Sequence, residues 1–349
     1  MQIPPNMRAA LAAILLAAAW AGPAKAGIQG LEHVSVGGED YLRLAEWAES
    51  NGFKMTWRDK SDPIELTNHA ASLRFATDSR NARKALINGA TVLLSLPIIA
   101  RGGAALISLS DVQKNLEPVL FPQKSRDLVR TICLDPGHGG KDKGEISGDN
   151  FEKKYTLLLA QALEPLLRDA GFKVVLTRTN DVYVELADRP ALAARQGADL
   201  FVSLHYNSIA TPGVRGVQVH CLPPPGMKSS DAGGGRASNP AYPGNAQDAR
   251  NILLACEVLR NITSKLPLED IGVKRSHYEV LRDAQMPAIL IEGGFMTDPQ
   301  DSKKIYDPEF RQRMAQSIVS GILAYKDAVE EKPGEIRAAG ATVKSPARR

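Results

Sequence analysis

From residue 131 to residue 325 the chain alternates between short apolar runs and longer stretches whose apolar residues recur at helical spacing. Thr131 to Leu134 reads as a buried strand stopped by Asp135-Pro136-Gly137. Tyr155, Leu158, Leu159, Ala162, Leu163, Leu166 and Leu167 then form one apolar helical face, ended by Gly171. KVVLT and DLFVSL are the next buried strands, separated by a helical segment that starts near Leu186 and carries Arg189 and Arg195. GVQVHC, a helix from about Gln247 to Leu266, a strand around Ala288 to Ile291, and a helix opened by Asp307-Pro308 complete the series. Such alternation predicts an α/β fold: a mainly parallel sheet flanked by helices on both faces.

Residues 30 to 122 carry a different, mixed pattern that predicts a small α+β unit. Tyr41, Leu44, Ala45 and Ala48 recur at helical spacing, with Asn51-Gly52 as the stop. KALI and ATVLLSL flank Asn88-Gly89, a dipeptide that accepts the positive φ of a tight hairpin turn. A second extended pair flanks Gly102-Gly103, and Ser110-Asp111 can cap a short helix running to Leu120. FPQKSRD, residues 121–127, is the expected linker, giving a division into 1–26, 27–122, 128–329 and 330–349.

Composition narrows the picture. A chain of 349 residues at 44% hydrophobic content can bury a core, and a net charge of +4 without a basic, aromatic-interleaved stripe specifies no nucleic-acid partner. Arg8, the apolar run Ala9 to Ala21 and Ala24-Lys25-Ala26 read as an export signal cleaved before Gly27, with Met7 an alternative start. The run is short for a bilayer span, and no cysteine adjoins the cleavage site to accept a lipid. The expected location is therefore the periplasm or cell envelope. Cys133, Cys221 and Cys256 lack zinc-ligand spacing and read as packing residues, a Cys221 to Cys256 bridge remaining open. Residues 332–349, rich in Pro, Ala, Gly and basic side chains, read as a disordered tail.

The candidate chemistry gathers at strand ends. His138 follows the Thr131 strand, Glu152 opens the following helix, and His205 closes DLFVSLH, so all three can converge on one sheet edge. His, Glu and His form an established set of catalytic zinc ligands. Glu292 follows four apolar strand residues and precedes two glycines, which brings a carboxylate out of the core at the same edge; the competing reading is a salt bridge to Arg282 or Arg189.

The ordered blocks LDPGHGGKDKG, FEKKYTLLLA, VVLTRTNDVYVELADR, ADLFVSLHYNS and GVKRSHYEVLRDAQMPAILIEGGFMTDPQ resemble the zinc-dependent N-acetylmuramoyl-L-alanine amidases, cell-wall enzymes that cut peptide from glycan. The resemblance implies zinc on His138, Glu152 and His205, with Glu292 as catalytic acid/base. It implies peptidoglycan as partner and substrate, and a protein activator as a further possible partner. Residues 30 to 122 resemble the amino-terminal domain of copper amine oxidases, without copper, since His33 and His69 stand alone. A zinc peptidase acting on stem peptides and a wall-binding protein without activity remain alternatives.

Several residues stay open on sequence. Asn207 is either a substrate contact or a turn residue; His277 is a possible donor to substrate, and His220 faces the packing of the sheet. Lys274, Arg275 and Arg282 are either surface cations or contacts for the carboxylates of a peptide stem. The Pro-, Gly- and Ser-rich segment 222–246 is expected to leave the sheet close to the site; it lacks the helical pattern of the autoinhibitory plug found in some members of the family.

Overall fold

The computed structural model describes residue 28 and residues 30–331, apart from 60, 61, 79, 102, 234 and 236. The expected export signal and the tail from residue 332 lie outside the described residues.

The amino-terminal unit opens with strands β1 (His33–Val36) and β2 (Glu39–Arg43), then helix α1 (Leu44–Ser50). Tyr41, expected from its spacing to belong to the helical face, is instead buried in β2 beside Leu42, and the helix begins at Leu44. Strands β3 (Lys54–Thr56), β4 (Ile64–Thr67), β5 (Ser72–Phe75), β6 (Lys84–Ile87) and β7 (Ala90–Leu93) form an antiparallel meander. Its last turn is Asn88-Gly89, both at positive φ (50° and 90°), as that dipeptide predicts. β9 (Ala104–Ser108) returns to pair with β2, and β8 (Ile99–Arg101) pairs with β9; α2 (Leu109–Asp111), a π-helical turn over Val112–Leu116 and α3 (Glu117–Leu120) follow.

The second unit contains β10 (Thr131–Pro136), a two-stranded ribbon of β11 (Ile146–Ser147) and β12 (Asn150–Phe151), α4 (Glu152–Asp169), β13 (Lys173–Leu176), α5 (Asp188–Arg195), β14 (Leu200–Asn207) and β15 (Val217–Cys221). It continues with α6 (Asp248–Lys265), β16 (Asp270–Arg275), α7 (Glu279–Arg282), β17 (Ala288–Phe295), α8 (Pro299–Tyr306) and α9 (Pro308–Val329). β13, β10, β14 and β17 are parallel; β15 runs antiparallel to β17 and parallel to β16. The α/β expectation therefore holds, with one reversal in the sheet.

Period-two alternation divides the sheet between two cores. Ile132, Leu134, Val202, Leu204, Ile289 and Ile291 pack with the apolar faces of α4, α6 and α9, whereas Cys133, Phe201, Ala288 and Leu290 pack with Ala193 of α5 and Leu281 of α7. The sheet does not stop at β16. Val273 pairs in parallel with Val92 of β7, so the meander of the first unit extends the same sheet to eleven strands. Arg275, 2% exposed, reinforces the seam, donating to Asn115 Oδ1 (3.1 Å), Leu222 O (2.8 Å), Asp248 and the Lys114 carbonyl. The three cysteines are buried and free, so no Cys221–Cys256 bridge forms.

Candidate metal centre

His138 lies two residues beyond β10, in a backbone conformation (φ 63°) that non-glycine residues seldom adopt. Two buried guanidinium groups hold it there. Arg189 donates to Pro136 O (3.0 Å) and His138 O (2.9 Å), and Arg178 donates to Pro136 O (2.9 Å) and Gly137 O (2.8 Å). Arg189 is in turn fixed by Asp135 (2.8 Å), which also accepts from Thr177 and Ser203. The turn's carbonyls thus point inward without being orphaned, and the imidazole is presented outward.

Glu152 is the first residue of α4, as its sequence position suggested. Its Oε2 lies 3.0 Å from His138 Nε2 and its Oε1 lies 3.0 Å from His205 Nδ1. The backbone N–H groups of Glu145 and Tyr206 donate to the same carboxylate, each at 3.0 Å. Burial disfavours the charge on Glu152, but hydrogen bonds from the two histidines outweigh it and hold the carboxyl far below the usual range. For His138 burial opposes protonation, and Glu152 and Asp142 together overcome it and raise the imidazole. Asp142 Oδ2 lies 2.8 Å from His138 Nδ1, which leaves Nε2 turned to the cluster.

The three donor atoms lie within 4.8 Å of one another and form the only such grouping of His, Cys, Asp or Glu among the described residues. Two imidazole nitrogens and one carboxylate oxygen are the donor types that suit zinc, whose tetrahedral ligands sit about 3.3 Å apart. A modest contraction would seat the ion, so the residues fit it. Two glycines make the close approach possible. A Cβ on Gly137 would lie 2.2 Å from His205 Cε1, and one on Gly144 would lie 2.5 Å from Glu152 Oε2.

Glu292 lies inside β17, opposite His205 in parallel register, rather than at a strand end. It is 8% exposed, and its Oε2 has no hydrogen-bond partner among the described residues. Neither proposed salt bridge forms: Arg189 is committed to Asp135, and Arg282 approaches Glu279 and the Tyr242 ring. Burial first, and then the charge of Glu152, raise its carboxyl well above the ordinary value, against a small opposing pull from Lys274. His138, Glu152, His205 and Glu292 line one open cleft of about 300 Å³, shared with Asn207, Leu186 and Tyr278.

The sequence matches a family. Residues 132–324, more than half of the chain, match the model described as N-acetylmuramoyl-L-alanine amidase. The chain belongs to this amidase family. Its relatives include N-acetylmuramoyl-L-alanine amidase AmiC of Neisseria meningitidis serogroup B, 32% identical over 273 residues. That alignment covers 71% of this chain and 62% of AmiC, less than two thirds of the relative's length. N-acetylmuramoyl-L-alanine amidase AmiA of Escherichia coli is 29% identical over 220 residues, 56% of this chain and 76% of that protein. A solved N-acetylmuramoyl-L-alanine amidase from Clostridium difficile 630 is 32% identical and covers 58% of this chain and 98% of that one, with a TM-score of 0.48.

Within this amidase fold, other sequence candidates fall away from the cleft. His220 is buried, its Nδ1 is 2.8 Å from Ser276 Oγ, and burial pushes its imidazole down to about 3. His277 contacts Ser229 Oγ (2.9 Å) and Asn239 Nδ2 (2.6 Å), outside the cleft lining. Lys274 pairs with Asp231 at 2.8 Å, and Arg275 is spent on the seam between the units, so neither lines the cleft. Segment 222–246 also departs from expectation. It leaves β15 after Cys221, whereas Gln218, near the opposite end of that strand, is the residue facing Glu292. The segment packs instead on the first unit, through Gly235 N–H to Ser95 O (3.1 Å) and Arg83 to Ser230 O (3.2 Å). Sequence reasoning missed Asp135, Asp142 and Arg178, although single charges beside apolar runs, as in CLDP and VVLTR, were a signal of buried pairing.

Proposed function

We propose that the chain is a zinc-dependent N-acetylmuramoyl-L-alanine amidase that hydrolyses the bond between the lactyl group of N-acetylmuramic acid and L-alanine in peptidoglycan. The observation that carries this reading is the convergence of His138, Glu152 and His205 beside Glu292, a buried carboxyl with an unpartnered oxygen, in one open cleft. Zinc held by those three residues would supply a Lewis acid and a water of lowered pKa. Asp142 fixes the tautomer of His138, and Arg178 and Arg189 hold its turn. Glu292 takes the proton of the attacking water and returns it to the departing L-alanine amine. Its raised affinity for a proton suits the second half of that cycle.

The same proposal includes export directed by residues 1–26, the division at residues 122 and 128, and a positioning role in the wall for residues 27–122. Purified protein incubated with peptidoglycan, with fragments identified by mass spectrometry, tests the activity. Free stems beginning with an L-alanine amine support it; cuts within stems would indicate a zinc peptidase, and no release would indicate a wall binder. Amino-terminal sequencing of exported protein should begin at Gly27; an intact Met1 or Met7 would reject cleavage.

A further inference from the structure

Beside the metal ligands, two neighbouring strands leave three buried polar atoms without partners among the described residues: Glu292 Oε2 on β17, and Gln218 Oε1 and His220 Nε2 on β15. Gln218 and Glu292 are directly opposed in antiparallel register. Opposed residues of such a pair carry their Cβ atoms on one face, about 4.5–5.5 Å apart. Both side chains are shielded from water, at 3% and 8% exposure. An unpartnered buried acceptor is costly, and two on one cross-strand pair point to a shared purpose.

We infer that Gln218 is a positioning residue for Glu292, holding its carboxyl in line with the cleft in both protonation states. This rests on the acid/base role proposed for Glu292. A carboxyl that first accepts a proton and then gives it back needs a donor beside it while ionised and an acceptor while protonated. A glutamine amide presents NH₂ or C=O at one place by a half-turn about its last side-chain bond. Leucine would serve neither state, lysine only the ionised one, and a permanently ionised glutamate only the protonated one. Gln218 reaches no cleft surface itself, so it acts through Glu292 alone.

The test is a double-mutant cycle on the full-length, zinc-loaded chain. Gln218→Met keeps the length and apolar stem and removes the amide. The expected result is a fall in kcat of roughly 10-fold to 100-fold, the usual effect of removing a group that orients a site residue, with KM and zinc content unchanged. In a Glu292→Gln background the same change should cost less than about twofold, because its target is already lost. If Gln218→Met failed to unfold cooperatively, Gln218→Asn, which keeps an amide but withdraws it, would carry the comparison with the same expectation. An unchanged kcat, or an equal loss in both backgrounds, would overturn the positioning role while leaving the amidase reading intact. A wild-type chain that released no stem from peptidoglycan would overturn both.

Discussion

The two sides of the cleft treat a glutamate in opposite ways. Glu152 is surrounded by donors, with two imidazoles and two backbone N–H groups each at 3.0 Å. Glu292, on β17, has an oxygen with no partner among the described residues and feels the charge of Glu152 as repulsion. One carboxyl is held ionised and the other is pressed toward its neutral form, the environmental splitting that separates a ligand from a proton carrier. Residue type therefore says little about role here. The number of donors around the carboxylate says a great deal.

The sharpest way to break this contrast is on the ligand side. His138→Ala takes away one of three donors, so bound zinc, by elemental analysis, and amide hydrolysis should both fall to background. Activity surviving without zinc would remove the metal from the mechanism. Glu292→Gln should do the reverse, keeping near-normal zinc while lowering turnover by roughly 10² to 10⁴ fold, the worth of a positioned general base. Loss of zinc in that variant would make Glu292 a ligand and leave Glu152 in need of another role.

Smaller effects sharpen the comparison further. Arg189→Met leaves Asp135, wholly buried, with only two hydroxyl partners, and should cost about 3–5 kcal/mol of stability by denaturant unfolding. A change below about 1 kcal/mol would mean that the pair adds little beyond a neutral contact. Asp142→Asn should be milder, since the His138 ring keeps a hydrogen-bonding neighbour. Zinc affinity, measured by competition with a chelator, should drop roughly 10-fold. An unaltered affinity would show that the turn alone orients the ring.

Much of this was legible in the sequence because burial imposes period. The Thr131 strand, the α4 face of Leu159, Leu163 and Leu167, and the Asp307-Pro308 start of α9 all follow from local pattern. The three ligand candidates also converge, because each stands at the end or beginning of a locally recognisable element. What escaped depends on distant pairing. Nothing near Val92 announces Val273 as its strand neighbour, and nothing near Arg275 announces Asn115. In sequence the two glycines after Glu292 look like a stop that places it at a strand end, yet β17 runs through them to Phe295. Segment 222–246 departs from its expected place for a related reason: the direction of β15 is reversed against β17, which inverts the edge from which the segment leaves.

The extension of the sheet through β7 has a consequence for how the chain comes to be made. Synthesis delivers Val92 long before its partner at position 273, so β7 spends that interval as an edge strand with one row of N–H and C=O groups unanswered. Pairing across such a separation is intrinsically slow. A chain halted before Asp270 should therefore self-associate through β7 in sedimentation experiments, whereas a monomeric fragment would mean that the edge is covered in another way. The sheet edge at β7 is thus completed only by residues from the last third of the chain.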